Sequence, residues 1–155
     1  MTGNLKAMND TTSDPLAILI FSEMATIDQL AKGRLSKALP HGLEVSHFAV
    51  LNMLARPGVE RTPAQLARAF NVTKGAMTNT LGKLQDAGYV HVRPDWEDAR
   101  RKIVTISPAG QSVRDQAVTA ISPVFDDVMQ GLGTEKVRVL LPLLRQVRGI
   151  LTGET

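Results

Sequence analysis

The sequence contains no cysteine. That excludes disulfides, thiolate nucleophiles and thiol redox sensing together. Aromatic residues are scarce, at 4%, so Leu, Val, Ile, Ala and Met must fill any core. No apolar run approaches the roughly 18 residues that a membrane span needs. The opening dozen residues, MTGNLKAMNDTT, are polar and hold no apolar core of the kind a signal peptide carries. Residues 1–13 therefore read as a disordered tail, and the expected location is cytoplasmic. Catalytic signatures are missing as well. His41, His47 and His91 include no i, i+4 pair and no carboxylates at ligand spacing, so no metal is expected. No carboxylate pair suggests a pocket acid and base, and no Ser or Thr stands in a nucleophile motif. The chain reads as a non-enzyme that needs no cofactor.

What is present is one domain's worth of ordinary soluble sequence, 155 residues with 43% apolar content. The net charge is only +3, but it is unevenly spread. The segment from Arg61 to Val104 carries eight basic and four acidic residues, a net +4 that leaves −1 for the remainder. A basic middle between near-neutral flanks is a mild polyanion signature.

Three pairs, Asp14-Pro15, Thr62-Pro63 and Ser107-Pro108, mark helix starts. The first residue of each accepts bonds from free N–H groups, and proline gives up an N–H that had no partner. Gln65, three residues after Thr62, completes a capping box. Leu16, Ile20, Met24, Ile27, Ala31 and Leu35 make a helical stripe over Pro15–Ala38. A second helix, VSHFAVLNMLA, stops before Pro57-Gly58. A short third, PAQLARAF, ends at Asn71, which suits a left-handed residue. Thr73 caps a fourth, KGAMTNTLGKLQDA, stopped at Gly88. YVHVR and RKIVTI then alternate as strands around a charged loop. After Pro108 a helical stripe runs through Val113, Ala117, Ile121, Val124, Val128 and Leu132, with Ser122-Pro123 an expected kink and Gly131 and Gly133 an expected break. Thr134 is expected to cap a last helix, and Pro142 to bend or split it.

The fourth helix carries the function. Met77, Leu81 and Leu84 form its inner side. Its outer side shows Lys74, Gly75, Thr78, Asn79, Gly82 and Lys83, with no acidic residue until Asp86. Such a face suits the DNA major groove, where Asn can bond adenine and Lys can reach phosphate or guanine. Thr73 adds a hydroxyl and free N–H groups for a phosphate. Glycine at 75 and 82 costs helix stability, and close approach to another backbone is one reason to carry it. A solvated surface helix is the bland alternative. A β-hairpin directly after helix-turn-helix, however, makes a winged helix, whose loop projects beside the recognition helix.

VTKGAMTNTLGKLQDAGYV and PDWEDARRKIVTISPAG resemble the recognition helix and wing of the MarR family of bacterial transcriptional regulators. The second stretch includes an Asp-x-Arg element at Asp98-Ala99-Arg100. The sequence departs from the family where Asn79 replaces a long residue and Ala99 a common Arg, and in carrying Pro142. The resemblance implies a mainly α fold with a small β-hairpin (α+β). A winged helix-turn-helix domain over 41–107 would join a helical dimerisation region built from 14–40 and 108–151. It implies DNA contacts by Thr73, Lys74, Gly75, Ala76, Thr78, Asn79, Lys83, Arg93, Asp98, Arg100 and Arg101. Asp98 would hold the turn and aim Arg100, while Asp95 and Glu97 read as a solvated turn. It further implies a homodimer on a near-palindromic double-stranded operator, acting as a repressor released by a small aromatic or phenolic ligand. Met24, His47, Met53 and Arg56 would face that ligand. The excess of apolar surface on the two terminal segments supports a dimer independently. The alternative is a winged-helix protein-interaction or nucleoid-type module without sequence readout.

Overall fold

The computed structural model describes residues 15–153; the expected tail and the Asp14 cap lie outside the described residues. The chain forms two compact units, divided between Gly33 and Arg34. The described part of the first unit is helix α1 (Pro15–Ala38) as far as Gly33. Lys32 pairs with Asp28 one turn back at 2.7 Å. Ile18, Leu19, Ile20, Phe21, Ile27 and Leu30 are exposed, and α1 holds no buried residue. Apolar residues thus lie on more than one face of this helix, as Leu19, Phe21 and Leu30 beside the stripe lead one to expect.

The second unit continues with α2 (Val45–Leu54), α3 (Pro63–Ala69) and α4 (Lys74–Asp86). Strands β1 (Val90–Pro94) and β2 (Lys102–Ile106) follow, then α5 (Pro108–Ile121), α6 (Asp126–Leu132) and α7 (Thr134–Thr152). The strands pair antiparallel, with Val92 opposite Val104. Arg61 adds a bridge to Val104 on the outer edge of β2. Strand β1 runs one residue later than the alternation suggested, and β2 starts one residue later but ends at Ile106 as expected; Pro94 pairs with Lys102 at the open end. The core is aliphatic, as the scarcity of aromatics required. Leu51, Leu54, Leu66, Leu84, Val50 and Val104 are its most completely buried side chains, drawn from α2, α3, α4 and β2.

The caps explain the element boundaries. Thr62 Oγ1 accepts the Gln65 N–H at 3.1 Å, and Gln65 Oε1 accepts the Thr62 N–H at 2.9 Å, completing the expected capping box. Asn71 takes φ 50°, the left-handed residue that ends α3. Gly88 does the same after α4 with φ 75°. Ser122-Pro123 becomes a 3-10 turn over Ser122–Phe125, separating α5 from α6.

Three expectations near the end of the chain are corrected. Gly131 lies inside α6; the break falls at Gly133, whose φ of 78° only glycine adopts readily. Gly133 is also the N-cap of α7, so Thr134 is the first helical residue and not the cap. Pro142 does not split α7, which runs continuously through it. Proline removes a single ladder bond, at a cost of about 3 kcal/mol, and 18 other helical residues surround it. Val139, Leu140, Leu141, Leu143, Leu144, Ile150 and Leu151 remain exposed on this helix. No helix among the described residues is long and apolar enough to cross a membrane.

The junction of wing and α5 is the tightest point of the unit. The Ser107 hydroxyl donates to the Gly88 carbonyl at 2.6 Å and accepts the Gly110 N–H at 2.9 Å. A Cβ added to Gly110 would overlap the Tyr89 carbonyl oxygen and lie 2.9 Å from Ile106 Cγ1. Gly110→Ala is therefore expected to destabilise the fold at or above the upper end of the ~1–3 kcal/mol range for overpacking. A Cβ on Gly82, inside α4, meets nothing within 4 Å. Gly82→Ala should instead stabilise by about 0.5–1 kcal/mol. Urea unfolding of the two variants beside the parent checks both signs.

Candidate nucleic-acid interface

Helix α4 is positioned by its inner face. Met77, Leu81 and Leu84 are buried, so the opposite face must point outward. Thr73, Lys74, Gly75, Ala76, Thr78, Asn79 and Lys83 are all exposed. Thr73 Oγ1 accepts the Ala76 N–H at 3.1 Å, which caps the helix and leaves the hydroxyl proton free to donate outward. The Thr78 hydroxyl donates to the Lys74 carbonyl at 2.8 Å. No hydrogen bond within the chain engages the Asn79 amide among the described residues, so its donor and acceptor both remain available. Cβ atoms built on Gly75 and Gly82 meet nothing within 4 Å. Packing inside the chain does not require these glycines, so they leave the outer helix surface low and open.

The hairpin loop is more ordered than a solvated turn. Asp95 donates its N–H to the Arg101 carbonyl at 3.0 Å, and Arg101 donates to the Asp98 carbonyl at 2.9 Å. Asp95 Oδ1 accepts the Glu97 N–H at 3.0 Å. The Asp95 carboxylate also lies 3.8 Å from the Arg101 guanidinium. Asp98 Oδ1 accepts from both the backbone N–H and the Nε of Arg100, each at 3.1 Å. The Arg100 guanidinium, and then its N–H, hold the Asp98 carboxyl below its usual range. Two of the three loop carboxylates thus tie the loop together. The Arg100 side chain still remains 90% exposed.

Two further carboxylates complete the arrangement, and sequence reading assigned neither. Glu60 accepts from Arg93 at 2.8 Å, across 33 residues. Glu44 lies 3.4 Å from Lys83 on α4. Neither pairing leaves a local sequence signal, since both partners come from separate elements. Arg93 is consequently half-buried and held, whereas Lys74 has no carboxylate partner among the described residues. Pairs this exposed contribute little stability, about 0–1 kcal/mol each. Their effect is to fix where the cations stand.

Of the four residues expected around a small ligand, three lie in the second compact unit, and two of these line the same cavity. Met53 and Arg56 line one cavity of about 620 Å³, together with Phe48, Phe70, Arg61 and Arg148. His47 is not on its wall. It is buried at the N-terminus of α2, where Nδ1 accepts the Glu44 N–H at 3.2 Å and its own N–H donates to the Glu44 carboxylate. The i, i+6 spacing from His47 to Met53 turns them to different sides of α2, which the sequence reading overlooked. Met24 is half-buried on α1 and belongs to the first compact unit. Arg61 and Arg148 were not anticipated in the cavity, because neither lies on α2.

Comparison with known proteins agrees with this geometry. Residues 41–101 match the model of the MarR family. The transcriptional activatory protein BadR of Rhodopseudomonas palustris is 35% identical over 74 residues, 46% of this chain and 42% of that protein. The chain therefore spans less than half of that curated relative. Among solved structures, the transcriptional regulator BldR of Sulfolobus solfataricus superposes with a TM-score of 0.78 at 24% identity, covering 86% of this chain and 94% of BldR. A mutant of MarR from E. coli, solved with operator DNA, gives a TM-score of 0.72 at 24% identity, over 84% and 94% of the two chains.

His47 gives the fold a pH dependence. Burial lowers its pKa below 6.5, the nearby Glu44 carboxylate raises it, and Lys83 lowers it further. Protonation would also remove the Nδ1 acceptor. The unfolded chain takes up this proton first as the pH falls, so stability is complete above 6.5 and declines from there down through the folded value. Denaturant unfolding at about pH 7.5 and about pH 5.5 should show this loss. His47→Asn, which keeps an acceptor but does not titrate, should flatten it.

Proposed function

We propose, from the match of residues 41–101 to the model of the MarR family, that this chain is a sequence-specific DNA-binding repressor. The observation that carries the reading is the outer face of α4. It is exposed, free of acidic side chains over its first three turns, and presents an unengaged Asn79 amide between Thr73, Lys74, Thr78 and Lys83. In the major groove Asn79 bonds the N6 and N7 edge of adenine, and Gly75 and Ala76 let the helix approach closely. Thr73 and the free N–H groups of the helix N-terminus meet a phosphate. The wing lies beside the flanking minor groove, with Arg100 aimed by Asp98 and Arg101 and Arg93 at the backbone. That a MarR mutant from E. coli of similar fold was solved with operator DNA supports the DNA-binding reading.

The chain acts as a homodimer on a near-palindromic operator in the cytoplasm. Residues 14–40 and 108–151 supply the dimerisation region, whose exposed Ile, Leu and Val side chains on α1 and α7 support self-association. Two recognition helices about 34–36 Å apart would read successive major-groove segments. The cavity beside Met53 and Arg56 takes a small aromatic anion that releases the DNA. Three guanidinium groups and two phenyl rings on its wall suit a carboxylate and a ring.

Selection of bound duplexes from a random pool tests the reading, with recovery of a palindrome expected. A sequence-blind, salt-sensitive association would instead favour the interaction or nucleoid-type module. On the recovered duplex, Asn79→Ala should cost about 1–3 kcal/mol and relax preference at one base position. Arg100→Ala should weaken binding and flatten its salt dependence. Unchanged affinity and slope would remove the wing from the mechanism.

A further inference from the structure

Trp96, the sole tryptophan of the chain, stands at the wing with 84% of its surface exposed. An indole in water forgoes the burial of some 150–250 Å² that makes the side chain useful elsewhere. Its surroundings are nevertheless built. The backbone on either side is fixed by the Asp95–Arg101 bond at 3.0 Å and by the Asp95 carboxylate on the Glu97 N–H at 3.0 Å. The Arg93 guanidinium lies over the ring, 5.4 Å from its centroid. Arg93 is itself held by Glu60 at 2.8 Å. A chain of contacts, Glu60 to Arg93 to Trp96, therefore ties the indole to the body of the winged domain.

We propose that Trp96 is a DNA-contacting residue, laying its free ring face against the deoxyribose wall of the minor groove beside Arg100. This rests on the DNA-binding reading above and adds a contact to it. Two observations select the occupant. The loop and strand ends around Trp96 carry Arg93, Arg100, Arg101 and Lys102 against Asp95, Glu97 and Asp98, a small net positive charge, and Arg100 still reaches out with its side chain 90% exposed, as contact with a polyanion requires. A guanidinium already lies over one face of the ring, at 5.4 Å, so the indole does not slip between two bases, which would require both faces clear. In the minor groove, which lacks the thymine methyl groups of the major groove, the sugar edges are the apolar surface a duplex offers outside its base stack. Arg93 acts as the positioning residue, and orienting the ring beforehand reduces the entropy lost on contact.

The single tryptophan gives a direct readout. The full-length chain is titrated with the duplex recovered by selection. Binding is followed by anisotropy of a dye on the DNA, and Trp96 by acrylamide quenching of its own fluorescence. DNA should shelter the indole from acrylamide. Trp96→Ala should bind roughly tenfold more weakly with an unchanged salt slope, because no phosphate contact is lost. Trp96→Phe should recover part of the affinity. At 84% exposure the substitution leaves the fold intact, which far-ultraviolet circular dichroism verifies. A bound duplex with Trp96 as accessible as before overturns this contact and leaves the DNA reading in place. No duplex bound at any salt concentration removes both. Sheltering on concentration of the chain without DNA overturns the proposal in favour of contact with a second copy.

Discussion

The hydroxyl of Ser107 is the contact on which the geometry of the winged domain depends. It joins the residue that ends α4 to the first turn of α5, through the Gly88 carbonyl and the Gly110 N–H. The Ser107 N–H also donates to the Tyr89 carbonyl at 3.0 Å, at the start of the wing. Three elements therefore meet within one hydrogen-bonded cluster, and Ser107 is buried there. Each bond is worth about 1 kcal/mol. Their importance lies in position: the end of α4, the root of the hairpin and the start of α5 cannot shift independently. Gly110 makes this possible, because any side chain there would strike the Tyr89 carbonyl.

From that junction α4 and the wing inherit fixed directions by different means. Helix α4 is oriented by apolar burial, through Met77, Leu81 and Leu84. The wing has little core of its own beyond Val90 and Val104, so carboxylates do the positioning. Asp98 holds Arg100, Asp95 holds the loop and approaches Arg101, and Glu60 holds Arg93. Acidic residues in a basic wing look self-defeating as charge. As geometry they are consistent, because an arginine held in place loses less side-chain entropy when it meets its target.

Much of the secondary structure was legible because its signals are local. Thr62, Thr73 and Ser107 accept backbone N–H groups three residues on, and Asn71 and Gly88 stop helices by adopting positive φ. Such preferences act within a few residues, so a sequence displays them directly. Local signals decide less where neighbouring options differ by little. Gly131 and Gly133 were equally plausible breaks, and Thr134 is an ordinary capping residue displaced by Gly133. Of the two effects expected of Pro142, the split does not occur, because one missing ladder bond is small against a long helix.

The sequence by itself determined the winged-helix order, the apolar inner face of α4 and, by elimination, its polar outer face. These follow from periodicity and capping, which need no knowledge of distant residues. Only the tertiary structure decided the fate of individual charged and aromatic groups. Glu60 reaches Arg93 across 33 residues, Arg93 in turn lies over one face of Trp96, and His47 turns into the capping box away from Met53. Which partner a long side chain finds depends on chain crossings that bring separate elements together. No spacing along one element encodes that choice.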